Sequence, residues 1–243
     1  MRPVKRGASP QPQDFADYAD AKPDLISRLG PYCSYCERRV PTQLAVEHIQ
    51  PKGLPAYAHL IGNWNNFLLG CVNCNSTKKD KDAVLADMLL PDRDNTFFAF
   101  HYTADGKVQA ANGIPAGLAK KAIDTLALAG LDKKINVALD ENGKQIAIDR
   151  VGQRMEVWLV AEDARSDANS NPGNQALRRQ IVETAKGYGF FSIWMTVFEQ
   201  DADMLNRLID AFPGTRASGC FNAFGRAISP APNPDHLAEG GKI

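Results

Sequence analysis

The chain contains no run of eighteen apolar residues, so it lacks the stretch of about 20 residues that a helix needs to span a bilayer. It has no excess charge either: Lys plus Arg and Asp plus Glu each total 28. A protein that grips nucleic acid unaided draws most of its non-specific affinity from neutralised phosphates. This balance therefore implies a short contact or a second subunit that supplies part of the grip. No glycine-rich phosphate cradle is present, which argues against ATP binding, and there is no internal repeat. Cysteine is scarce and its count of five is odd. The start, Met1-Arg2-Pro3-Val4-Lys5-Arg6, has no apolar segment of the kind a signal peptide carries. Together these features point to a reduced, cytoplasmic protein rather than a disulfide scaffold.

Four of the five cysteines form two Cys-x2-Cys pairs, Cys33/Cys36 and Cys71/Cys74, while Cys220 stands apart. Each pair bends a knuckle that turns two sulfurs toward one ion, and two knuckles complete the tetrahedral set of a structural Zn²⁺ site. The 34 residues between Cys36 and Cys71 exceed what the shortest zinc ribbons need, so a further unit is expected inside the loop. There Leu44 to Ile49 has the apolar, β-branched character of a short strand closed by Pro51 and Gly53, with the polar pair Glu47-His48 near its end. Asn66 to Cys71 suits a returning strand, and Asn75 to Asp82 has the cap residue and polarity of an exposed helix.

These residues resemble the zinc-bound HNH endonucleases of the ββα-metal class. The resemblance rests on Glu47-His48, Asn66 five residues before Cys71, Asn75 directly after Cys74, and Lys78; it covers Tyr32 to Lys81, roughly a fifth of the chain. It implies an α+β fold with a ββα core and a four-cysteine zinc site. His48 is then the general base, Asn66 the residue that orients it by holding its loop, and Glu47 with Asn75 the ligands of a catalytic Mg²⁺ or Mn²⁺. Many relatives carry Asp where this chain has Glu47. Imidazole has an ordinary pKa of about 6.5 and can take a proton from water at neutral pH, and oxygen donors favour hard cations. Lys52 and Lys78 are placed to meet phosphates. Local basic spots at Arg2-Lys5-Arg6, Arg38-Arg39 and Lys78-Lys79-Lys81 are further candidates for contact. His59, His101 and His236 read as surface or packing residues, with His59 alone in the catalytic loop.

Downstream, Phe98, Phe100 and Tyr102 alternate toward Asp105-Gly106 and Val108, a pattern that predicts a hairpin; Ile135, Val137 and Leu139 alternate toward Asn142-Gly143, Ile146 and Ile148, which suits a second hairpin, with a helix through the same residues as the alternative. Leu118, Ala122, Ile123 and Leu126 have helical spacing up to Gly130. Three later apolar stripes predict helices: Val151, Met155, Trp158 and Leu159; Leu177, Ile181, Val182 and Ala185; and Met204, Leu205, Leu208, Ile209 and Phe212. Ser166 to Asn174 reads as an exposed loop, and Phe190 to Phe198 as core or interface. The expected organisation is an HNH nuclease domain with its zinc site over residues 1–97, followed by short hairpins and a mainly helical region over 98–243 that packs on it and offers a partner interface.

The wider layout is also similar to a family. Gly30 to Glu37, Val46 to Lys52, Trp64 to Lys78 and Pro91 to Phe97 resemble the HNH nuclease subunit PtuB of Septu-type antiphage systems, including those attached to retrons. That resemblance implies an ATPase partner similar to PtuA and attack on nucleic acid, DNA first and RNA as the alternative. A free-standing restriction-like HNH endonuclease and a silent zinc module that binds nucleic acid or protein are the competing functions.

Overall fold

The computed structural model describes residues 1–132, 138–139, 145–147 and 150–243. The first helix, α1 (Lys22–Leu29), carries a proline in its first turn, where a missing N–H costs nothing, and stops at Gly30, whose φ is +74°. A side chain on Gly30 would meet the Tyr32 ring at 2.7 Å. Strands β1 (Ala45–His48) and β2 (Phe67–Gly70) pair antiparallel, with Glu47 opposite Leu68 and His48 opposite Phe67. All four residues of β2 are buried, as expected of a strand covered on both faces.

Helix α2 (Val72–Lys78) follows β2 directly. The sequence places a helix start at Asn75, but the N-cap is Cys71, held extended at φ −81° and ψ 160°. Residues three apart on a helix share a face. Bringing Cys74 back toward Cys71 therefore requires the helix to begin before both Cys74 and Asn75. Lys79, at φ +46°, ends it, so residues 79–82 lie outside the helix.

Asn95 caps a one-turn helix, α3 (Thr96–Ala99), by accepting from Phe98 N at 3.3 Å. That cap draws Phe98 out of the expected hairpin, which forms from β3 (Phe100–Tyr102) and β4 (Val108–Ala110). Helix α4 (Ala116–Ala129) ends at Gly130 in the left-handed conformation, as the sequence predicts. Strands β5 (Ala138–Leu139) and β6 (Gln145–Ala147) pair antiparallel; Ile135, Val137, Ile148 and the Asn142-Gly143 turn lie outside the described residues.

The rest is helical: α5 (Arg150–Ser170), α6 (Gln175–Tyr188), α7 (Phe191–Val197) and α8 (Ala202–Ala211). α5 differs from the sequence expectation twice. Its buried face is Val151, Arg154, Val157, Ala161 and Ala168, whereas Met155 and Leu159 are 37% and 63% exposed. The Arg154 guanidinium, donating to Gly106 O at 2.6 Å, turns that face inward, and the small alanines let α7 approach. The helix also runs through Ser170, shortening the expected loop to 171–174, where Asn174 accepts from Leu177 N at 3.0 Å and caps α6. α7 is core: Phe191, Ser192, Ile193, Trp194 and Met195 are all buried.

One buried cluster joins these parts and includes residues on both sides of the 97/98 boundary. Asn95 alone donates to Cys220 O and Ile228 O from its side chain, and to Ile243 O from its backbone. The two arginines of the N-terminal basic spot are not on the surface, whereas Lys5 is partly exposed. Arg2 donates to Leu29 O and Thr215 Oγ1, while Arg6 pairs with Asp92 at 3.1 Å, and both arginines are buried. Their charges satisfy carbonyls and a carboxylate inside the protein, which removes them from any contact with nucleic acid. Among the described residues, no helix is long and apolar enough to cross a membrane.

Candidate metal centre and adjoining cavity

The two Cys pairs meet. Cys33, Cys36, Cys71 and Cys74 are buried, and one sulfur from each lies within 4.8 Å of the others. Four Zn–S bonds of about 2.3 Å in a tetrahedron need sulfurs about 3.8 Å apart, and the Cys36 and Cys71 sulfurs are separated by 3.7 Å. Donor type, number and spacing all fit, so the four cysteines are positioned to bind a metal ion, consistent with structural zinc. The four thiols lie close enough to perturb one another, and hydrogen bonds from Cys33, Cys36 and Cys74 push the Cys71 thiol below its ordinary range.

Two features around this centre have no local sequence signal. Glu37 sits at φ +62° in the first knuckle, and its carboxylate reaches 155 residues along the chain to accept from Ser192 N at 2.7 Å and Ser192 Oγ at 2.5 Å. Arg150, at the start of α5, donates to Cys74 Sγ at 3.4 Å, and to Ala129 O and Gly130 O. The knuckles are thereby tied to the helical region from both sides.

Beside the cysteines lies a cavity of about 380 Å³ whose lining includes Glu47, His48, Lys52, Asn75 and Lys78. β1 delivers Glu47 and His48; α2 delivers Asn75 and Lys78. The His48 ring is held on three sides: Nε2 lies 2.9 Å from Ile61 O, Tyr18 meets it edge-on at 4.7 Å, and Phe67 at 5.3 Å. A carbonyl only accepts, so Nε2 carries the proton and Nδ1 keeps the lone pair. Burial, with Lys52 and Lys78 pushing the same way and the Ile61 bond opposing, lowers the His48 pKa.

The Asn66 side chain bonds to Gln50 and Leu60 rather than to the His48 ring. Its Oδ1 accepts from Gln50 N at 2.8 Å and its Nδ2 donates to Gln50 O at 2.9 Å, so it holds the chain just after His48. The orienting role expected of one residue is split: Asn66 fixes the loop and the Ile61 carbonyl fixes the tautomer.

Glu47 is buried, and its Oε1 is 3.0 Å from Lys78 Nζ. Burial pushes this carboxyl up and Lys78 draws it partly back. Gly70 makes the room, since a Cβ there would lie 3.1 Å from Glu47 Cβ and 3.3 Å from Oε2. Lys78 departs from its expected role as a surface phosphate contact. It is 1% exposed, donates to His48 O at 2.7 Å and neutralises Glu47, because a buried carboxylate demands a partner. Asn75 is exposed, lines the cavity and sits one turn inside α2, so it is not the helix cap. Lys52 is exposed at the rim. His59, His101 and His236 are exposed, and none lines this cavity. Tyr18, Lys22 and Asp80 line it as well; the first two lie upstream of the motif and carry no sequence signal of their own.

No curated protein matches the chain. The model of the HNH endonuclease family matches residues 33–81, the segment that carries all four clustered cysteines and, between and after them, Glu47, His48, Asn66, Asn75 and Lys78.

Proposed function

We propose that this protein is a metal-dependent endonuclease that hydrolyses phosphodiester bonds of nucleic acid, DNA in the first instance. The observation that carries the reading is the convergence of Glu47, His48 and Asn75 on one cavity beside four cysteines spaced for zinc, within the segment that matches the HNH model. His48 Nδ1 accepts a proton from the attacking water, while the Ile61 carbonyl and the flanking Tyr18 and Phe67 rings hold the imidazole in place. Asn66 keeps the backbone after the base from drifting. Glu47 and Asn75 would hold Mg²⁺ or Mn²⁺. A donor set of one carboxylate and one amide oxygen suits a hard cation that keeps several waters. Lys78 takes one Glu47 oxygen and leaves the other without a partner among the described residues. When bound there, the cation supplies positive charge next to the leaving 3′ oxygen. Lys52 at the rim is the phosphate contact.

The need for a partner is supported by charge, and its kind only by the resemblance of the wider layout to the nuclease subunit of Septu-type systems. A chain with 28 acidic and 28 basic residues, whose Arg2, Arg6 and Lys78 are buried, has no excess of basic residues to draw on for unaided grip. We propose that it works as the nuclease of an antiphage complex with an ATPase subunit. The test is to incubate the purified chain and its His48→Ala variant, each with and without any ATPase encoded beside it, with end-labelled DNA and RNA in Mg²⁺ or Mn²⁺. The expected products carry 5′-phosphate and 3′-hydroxyl ends and disappear with His48→Ala. Equal cleavage by that variant would sink the assignment of the base, and full activity without the ATPase would remove the partner.

A further inference from the structure

The nuclease reading leaves open how an exposed lysine becomes a defined phosphate contact. We propose that Tyr18, upstream of the matched segment, is the positioning residue that fixes Lys52 at the mouth of the His48 cavity for a backbone phosphate of the substrate strand. Lys52 Nζ donates to Tyr18 Oη at 2.6 Å and lies 4.0 Å from the centre of the same ring. It makes no ion pair among the described residues, so its charge is not consumed inside the protein as that of Lys78 is. The same ring packs edge-on against His48 at 4.7 Å, so one side chain sets both the base and the cation.

Tyr18 can do this because its segment is anchored. Asp17 caps the 3₁₀ turn Tyr18–Ala21 by accepting from Ala19 N at 2.9 Å. Ala21 is fully buried, and Phe15 packs against Trp64 and Phe67 while its N–H donates to Gly62 O at 2.9 Å. A Cβ on Gly62 would lie 2.2 Å from Phe15 O, so the close approach of this strap depends on glycine there. A free lysine stem samples many rotamers and loses that freedom on binding. A lysine already docked on a fixed tyrosine has given up most of it beforehand, which is preorganisation of the contact.

This inference rests on the nuclease reading of the cavity, and binding separates the two. Affinity for short fluorescein-labelled DNA and RNA strands is measured by anisotropy without added Mg²⁺ or Mn²⁺, for the wild type, Tyr18→Phe, Lys52→Met and the double variant, each first checked for unchanged melting temperature. Tyr18→Phe keeps the ring and removes only the hydroxyl. It is expected to weaken binding about threefold to tenfold, the size of one net hydrogen bond, and to raise KM in cleavage. The double variant is expected to bind no more weakly than Lys52→Met. Wild-type affinity in Tyr18→Phe, or losses that multiply in the double variant, would overturn the coupling, and a wild-type chain that binds neither strand would overturn the contact itself. Coupled binding with no cleavage under any metal would instead remove the nuclease reading and leave the Tyr18–Lys52 pair standing.

Discussion

Two buried glutamates, ten residues apart, have opposite surroundings. Glu37 accepts from Ser192 N, Ser192 Oγ and Tyr102 Oη, and pairs with the Met1 ammonium at 3.2 Å. Glu47 has Lys78 and, among the described residues, no other partner. A carboxylate offers about four lone-pair sites. Glu37 has filled its sites with donors from three distant parts of the chain, whereas Glu47 keeps vacancies and lines a cavity. Saturation makes Glu37 a fastener between the first cysteine knuckle and α7, and incompleteness leaves Glu47 an oxygen for the cation that the proposed function assigns to it.

The largest change should come from removing what supports both. Cys71→Ser is expected to lose zinc and unfold the protein, since structural zinc in small modules contributes about 10–16 kcal/mol of apparent binding free energy; metal content and thermal denaturation report it. His48→Ala should cut the cleavage rate about 10²–10⁴-fold, the usual contribution of general-base catalysis, with the melting temperature near that of wild type. A lost fold would instead make His48 a packing residue.

The two glutamates can then be set against each other. Glu37→Gln should cost about 3–5 kcal/mol in denaturant unfolding, as breaking a buried ion pair does, and leave Mn²⁺ binding unchanged. Glu47→Gln should abolish Mn²⁺ binding measured by electron paramagnetic resonance, and adding Lys78→Met should recover the stability lost to the stranded ammonium. If both glutamine variants bind Mn²⁺ equally, the distinction between fastener and ligand fails.

Acid supplies a milder perturbation. Burial holds the His48 imidazole below its ordinary pKa of about 6.5, so as pH falls the unfolded chain takes up that proton first. The contribution of His48 to stability is therefore intact above about pH 6.5 and declines below it, while the base stays deprotonated into more acidic solution. The acid limb of log kcat/KM against pH should have its midpoint below 6.5, and a midpoint at or above that value would contradict the burial. The smallest expected effect is at Cys220, whose thiol burial pushes up to about 11. With zinc bound, maleimide labelling at pH 8 followed by mass spectrometry should find Cys220 slow to react.

Most of the candidate site is legible in one dimension. Cys-x2-Cys needs only a knuckle, because metal ligation imposes short spacings, and Glu47-His48 needs only a strand end. The residues around these are not legible in the same way. Arg2, Arg6 and Lys78 look like surface cations along the chain, and their burial follows from carbonyls and carboxylates contributed by Leu29, Asp92 and Glu47. The face of α5 misleads in part for a similar reason: within its apolar stripe Val151 is buried and Trp158 packs against the core, but Met155 and Leu159 are exposed while Arg154, donating to Gly106 O, is buried.

What the sequence by itself determined is the set of functional groups: four thiols in two pairs spaced for a metal, an imidazole and polar oxygens between and beside them, and the helices whose apolar periodicity is strong. The tertiary structure alone decided which charges are spent internally and which face the cavity, and it alone brought Tyr18 to His48, Arg150 to Cys74 and Glu37 to Ser192. Those contacts join residues 30 to 155 positions apart. They are selected by the cost of leaving a buried polar group unpaired, a cost set by the folded environment and not by any neighbour in sequence.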